Sequence, residues 1–154
     1  SKAVKLSPSD LDAWNGLGHC FWKKGDLGAA RDCFENAMAR GANSESEREL
    51  SKLLRQFPAS TDAERTENLQ RSLQLAKQAV QRDFKDSEAW YVLGNAHVAI
   101  FIGVSHSTTD MARALQAYNR SEACGGQSNP DLYFSRAQVQ RFHEAYQEAV
   151  DDYR

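Results

Sequence analysis

Ala13-Trp14-Asn15-Gly16-Leu17-Gly18 and Ala89-Trp90-Tyr91-Val92-Leu93-Gly94 set a tryptophan, a leucine three residues later and a glycine beside it in the same order. In the first copy the pattern runs on through Phe21, a Lys24-Gly25-Asp26 break, and then Ala30, Phe34 and Ala37. Trp14, Leu17 and Phe21 recur at i, i+3 and i+7, which predicts one helix with a buried stripe. The Gly-Asp break turns the chain into a second helix. Gly18 carries no side chain and Ala30 and Ala37 carry small ones, so the two helices can approach closely while Phe34 fills the space between them. One such pair leaves apolar surface uncovered on both sides. Its neighbours must therefore be further pairs stacked on it.

This spacing resembles the tetratricopeptide repeat, in which W-x2-L-G is followed by A-x3-F on a second helix. The rest of the chain falls into the same register. Residues 1–8, with Ala3 and Pro8, fit the end of a preceding repeat, and 9–42 form the repeat just described. Residues 43–84 form a degenerate repeat that has lost Trp and Gly. It keeps Leu50, Leu53, Leu54, Leu73, Ala76, Ala79 and Val80 on helices near 44–56 and 64–83, separated by the loop around Phe57 to Ala63. Residues 85–127 form a repeat with a long loop from Ile102 to Asp110, then Ala114 and Tyr118. Residues 128–154 start a further repeat after Gly125-Gly126, with Ala137 on its first helix and Ala149 and Tyr153 in second-helix slots. The expected fold is all-α: a right-handed superhelix of stacked antiparallel helix pairs. Both ends fall inside a repeat, so the sequence is expected to be a section of a longer chain.

Composition limits what such a stack does. Charged residues are 26% and hydrophobic residues 41%, with 19 Lys and Arg against 21 Asp and Glu for a net charge of -2. That balance supplies no field for phosphate backbones or an anionic membrane, so neither direct sequence-specific nucleic-acid binding nor membrane association is expected. Cys20, Cys33 and Cys124 form no CxxC pair and sit at no metal-ligand spacing with the four histidines. A reducing compartment, cytosol or nucleus, follows from that usage. P-loop, GxGxxG, GxSxG and HExxH patterns are absent, so no enzyme activity, metal or cofactor is expected. His97 stands where the repeat has tyrosine and reads as a core histidine. The acidic runs Glu45, Glu47, Glu49 and Asp62, Glu64, Glu67 read as helix-start charges on solvated faces.

In a stack of this kind the first helices line a concave face, and side chains one or two positions off the buried stripe point into it. Register alone places there Asp12, Asn15, His19 and Trp22, then Lys52 and Arg55, then Glu88, Tyr91, Asn95 and Val98, and last Asp131, Phe134, Gln138 and Arg141. Both charge signs, amides and aromatic rings together suit an extended peptide. The lysine and asparagine pattern with which many tetratricopeptide co-chaperones hold a C-terminal carboxylate is missing, since its slots carry Asn15 and His19, Glu88 and Val92, and Asp131 and Ser135.

A narrower resemblance lies in the irregular features. Ser1-Lys2-Ala3-Val4-Lys5-Leu6, Phe21-Trp22-Lys23-Lys24-Gly25-Asp26, Leu53-Leu54-Arg55-Gln56, Trp90-Tyr91-Val92-Leu93-Gly94-Asn95 and Ser128-Asn129-Pro130-Asp131-Leu132 resemble the tetratricopeptide repeat protein 5 (Strap) family over nearly the whole chain. The sequence departs from that family in the loops at Ile102 to Asp110 and Phe57 to Thr66. The resemblance implies recognition of the N-terminal Met-Arg-Glu segment of nascent α- and β-tubulin at the ribosome, followed by decay of tubulin mRNA through an adaptor. It also implies an alternative role as a nuclear transcription cofactor of a histone acetyltransferase; a generic interaction module is the broader reading. Cytoplasm, with the nucleus as a second compartment, follows from the same resemblance. The family's peptide-binding arginine and aspartate fall on Arg55 and Asp131, both already on the concave list. Arg55 is assigned to the peptide glutamate and Asp131 to the peptide arginine or its amine. Lys5 is expected to add a contact, Asn15 and Asn95 to bind the peptide backbone, and Tyr91 to line the groove.

Overall fold

The computed structural model describes residues 10–152. Among them lie seven α-helices and no strand: α1 (Leu11–Lys23), α2 (Leu27–Arg40), α3 (Ser44–Gln56), α4 (Asp62–Arg82), α5 (Ser87–Ile100), α6 (Thr108–Ala123) and α7 (Pro130–Asp152). Each start is written in the sequence. The side chains of Asp10, Asp26, Asn43, Thr61, Asp86, Ser107 and Asn129 accept hydrogen bonds from backbone N–H groups one turn inside the helix they open. Those donors would otherwise have no partner. The α1–α2 turn closes on Gly25 at φ 83° and the turn after α6 on Gly125 at φ 104°, left-handed conformations that glycine adopts without strain.

Helices pair as α1–α2, α3–α4 and α5–α6, and each pair packs on the next, with α3 also against α5 and α7 against α6. This is the stacked tetratricopeptide superhelix. The glycine reading holds in detail. A methyl group at Gly18 would lie 2.7 Å from Phe34 Cε1, and one at Gly94 would overlap the Tyr118 ring. Phe34 is 0% and Tyr118 1% exposed, so each ring occupies the space its glycine vacates. The core continues along the stack. Leu50, Leu53 and Leu75 carry it through the degenerate repeat, Val92 and Ala96 through the next, and Met111, Leu132 and Val139 to α7.

Four expectations need correction. Trp14, Leu17 and Phe21 are half-buried, because α1 packs on one side only among the described helices, and Asn15 and Gly18 are its buried residues. The stretch from Ile102 to Asp110 is mostly not a loop. The chain leaves α5 in a π-helical turn, Phe101–Ser105, with His106 N–H donating to Phe101 C=O at 3.0 Å, and only two residues separate that turn from α6. Ala149 lies on the unbroken 23-residue α7 and on no second helix. Tyr153, Ala3 and Pro8 lie outside the described residues. Glu47 and Glu49, expected on a solvated face, are 1% and 6% exposed. They are tolerated there because Arg82 Nε meets Glu47 Oε1 at 2.5 Å and Lys52 Nζ meets Glu49 Oε1 at 3.2 Å.

Candidate functional site

The first helices α3, α5 and α7 present their C-terminal turn, middle and N-terminal turn, respectively, to one concavity. On α3, Lys52 and Arg55 lie one turn apart. On α5, Glu88, Tyr91 and Asn95 follow at i, i+3 and i+7, a single face one position away from the buried Ala89, Val92 and Ala96. On α7, Asp131 sits in the first turn behind the cap Asn129. These residues and Gln56 line a cavity of about 480 Å³. Arg55, Tyr91, Asn95 and Asp131, four of the six residues singled out in the sequence, therefore meet in one place. Helix ends favour the two charges where they stand, a cation at the end of α3 and a carboxylate at the start of α7.

Asn15 is elsewhere. It is 2% exposed, and its Oδ1 accepts a hydrogen bond from Ser46 Oγ at 2.7 Å, joining α1 to α3. Lys5 lies outside the described residues. Of the other concave candidates, Trp22 is half-buried and donates from Nε1 to Gln56 Oε1 at 3.3 Å.

Electrostatics single out Arg55. The neighbouring Lys52 is satisfied by Glu49 at 3.2 Å and Glu88 at 3.6 Å. Arg55 is half-buried, yet among the described residues no carboxylate comes within 4.0 Å of it, and its Nε is buried without a hydrogen-bond partner. Burial pushes the guanidinium below its ordinary pKa, with the phenols of Tyr118 and Tyr91 pulling the other way. A cation taken out of water without a counter-charge is costly. A carboxylate entering the cavity would remove that cost and can dock on the guanidinium edge through two parallel hydrogen bonds.

Sequence reading missed Tyr118. It occupies the second-helix slot that Phe34 fills in the first repeat, but its hydroxyl donates to Asn95 Oδ1 at 2.6 Å. Burial raises its pKa, so the phenol stays protonated as the donor. The signal was available, because a tyrosine in a slot built for phenylalanine brings a hydroxyl that needs a partner. With its oxygen occupied, Asn95 keeps its NH2 to donate toward the cavity.

The polar cavity adjoins a larger one of about 810 Å³, which shares Arg55 and Asn95 as lining residues and is walled mainly by apolar side chains of α5, the π-helical turn and α7. Among the described residues no group of three or more His, Cys, Asp or Glu could hold a metal ion, and no helix is long and apolar enough to cross a membrane.

A model of the tetratricopeptide repeat matches residues 1–45. Over 99% of its length the chain is 39% identical to tetratricopeptide repeat protein 5 of Homo sapiens, 39% to that of Bos taurus and 38% to that of Mus musculus. It spans 35% of the length of these relatives. Among solved structures, the Sgt2 tetratricopeptide domain from Aspergillus fumigatus superposes with a TM-score of 0.71 at 17% identity, covering 90% of this chain and 82% of that one. MamA superposes at 0.67 and 16% identity, covering 97% and 78%. At such identities these two structures speak for the fold alone.

Proposed function

The chain belongs to the tetratricopeptide repeat protein 5 family, and on that premise we propose that its concave cavity binds the N-terminal Met-Arg-Glu segment of nascent tubulin at the ribosome and so commits tubulin mRNA to decay. The observation that carries this reading is Arg55, a half-buried cation with no acidic partner among the described residues, in the same cavity as Asp131. An Arg-Glu pair in a peptide calls for one base and one acid. Arg55 takes the peptide glutamate, and Asp131 takes the peptide arginine or the N-terminal amine. Asn95 donates its free NH2 to a peptide carbonyl, and Tyr91 closes the wall beside it. Asn15 acts indirectly by holding α1 on α3, and Lys5 adds its contact from the stretch before α1. The ribosome and the decay adaptor would bind outside this cavity, in the cytoplasm.

The test is fluorescence polarisation of a labelled Met-Arg-Glu-Ile peptide on the whole protein, beside the same peptide with glutamate changed to alanine. The native peptide should bind at least tenfold more tightly, since a charged hydrogen-bonded contact is worth about 1.5–3 kcal/mol. Arg55→Ala should remove that preference, and Asp131→Ala should weaken both peptides while leaving it in place. Equal binding of both peptides would refute the proposal.

A further inference from the structure

We infer that the apolar cavity beside Arg55 is a second subsite, which takes a large apolar side chain two residues away from the acidic residue held by Arg55. The inference rests on the peptide-binding reading above, in which that side chain is the methionine of Met-Arg-Glu. The cavity, about 810 Å³, is formed where the π-helical turn after α5 faces the middle of α7. Val98, Phe101 and Ile102 supply one wall and Val139 and Phe142 the other. Ile102 is 67% and Phe142 57% exposed, while the Phe101 and Phe142 rings meet edge to face with centroids 5.8 Å apart. Large apolar side chains gathered around an open concavity mark a binding surface more than a packing accident.

Two features say what fills it. First, Arg55 and Asn95 line both cavities, so a ligand anchored on the guanidinium has the apolar cavity directly beside it. In an extended peptide, side chains two residues apart lie on the same face, about 6.6–6.8 Å along the chain. The residue between them points the opposite way. Second, Arg141 lies on the rim of the apolar cavity, and among the described residues it too has no carboxylate within 4.0 Å. With Arg55 and the solvent-exposed Arg141 at its rim, the cavity favours an apolar side chain near an acid, and a basic residue between the two belongs on the opposite face of the peptide, away from both arginines. The space is wider than one side chain, so it selects a class (Met, Leu, Ile or Phe) rather than one residue.

The experiment is selection from a random heptapeptide library with a fixed central glutamate, on the whole protein and on its Ile102→Asp and Phe142→Asp variants. Both positions are exposed, and circular dichroism and the melting temperature check that the variants fold. The expected result is at least tenfold enrichment of large apolar residues two positions from the glutamate, abolished in both variants, while a parallel library with glutamine fixed at the centre yields no enriched peptide on the whole protein or on either variant. Selected peptides with no apolar preference at that spacing, or no selected peptide at all, would overturn the inference. So would variants that lose stability and keep the preference, since the cavity would then be packed by the protein itself. Enriched apolar-x-Glu peptides unrelated to Met-Arg-Glu would sink the tubulin reading and leave the subsite standing.

Discussion

Arg55→Met should make the protein more stable and unable to bind its peptide. In the unliganded protein the guanidinium is half-buried, has no acid within 4.0 Å among the described residues, and leaves Nε without a partner. A fully desolvated ion costs several kcal/mol. Arg55 keeps part of its surface toward the cavity, so the recoverable share is about 1 kcal/mol. Methionine preserves most of the aliphatic stem's packing and has no charge to desolvate. For a chain of this size, about 1 kcal/mol raises the melting temperature by roughly 2–4 °C. Denaturant titration of the whole protein gives the free energy, and polarisation with the Met-Arg-Glu-Ile peptide gives the affinity. A gain in stability coupled to at least a tenfold loss of binding is the signature of a residue kept for its ligand. A methionine variant that is less stable and binds normally would refute the reasoning, because Arg55 would then be a structural strut.

Three further perturbations test the scaffold. Gly94→Ala places a methyl group into the Tyr118 ring; a loss of about 1–3 kcal/mol in unfolding free energy by denaturant titration is expected, with weaker peptide binding because Tyr118 orients Asn95. Arg82→Ala strands the buried Glu47 carboxylate. About 2–3 kcal/mol should be lost, less than for a fully buried pair because Arg82 is partly exposed, and Glu47→Gln in the same chain should restore part of it. The pH dependence follows from His97, whose Nδ1 lies 3.1 Å from Asp110 Oδ1. Burial lowers the imidazole pKa and outweighs the pull of Asp110, so the ring is neutral and donates to the carboxylate. For Asp110, burial works upward but is outweighed by the hydrogen bonds from Ser105 and His97, which leave its pKa below the usual carboxylate range. Both folded-state values are depressed. The stability from His97 is therefore complete above about pH 6.5 and is lost on acidification below it, with the Asp110 contribution following below about pH 4. Unfolding midpoints measured from pH 8 to 5 should fall on the acid side, and His97→Gln should flatten that fall.

The fold was legible because the repeat writes the same physics several times. Trp and Gly at fixed spacing, small residues on the facing helix and a ring to fill the gap could be checked against one another, and Gly18–Phe34 and Gly94–Tyr118 show the same solution twice. Helix starts were legible because caps need particular side chains. Burial of charge was less so. Glu47 and Glu49 look like any acidic residues early in a helix, and only the stacking of α3 against α4 brings Arg82 from 35 residues away. The π-helical turn was also hidden, because an apolar stretch containing glycine and serine fits a loop as well as an expanded helix. Within the candidate site, Arg55, Tyr91, Asn95 and Asp131 followed from register. Asn15 occupies an equivalent register but is buried, because Ser46 on α3 draws its side chain into the contact between α1 and α3.

That difference explains why the cavity forms where it does. The degenerate repeat has no tryptophan and no paired glycine, but it contributes the site's uncompensated cation from the end of α3. The next repeat has the full motif and contributes the rigid wall, with Tyr118 locked under Gly94 and Asn95 locked by Tyr118. The carboxylate comes from a third, at the start of α7. No single helix pair holds the site, so its geometry depends on the angle at which three successive first helices stack. A ligand that joins Arg55 to Asp131 ties α3 to α7 across α5. Its binding energy therefore adds directly to the cohesion of the stack. Peptide addition should accordingly raise the unfolding midpoint of the protein, and Asp131→Ala should cancel that rise although Asp131 is exposed and contributes little to the free fold. A rise that survives Asp131→Ala would mean that the ligand holds the stack without α7.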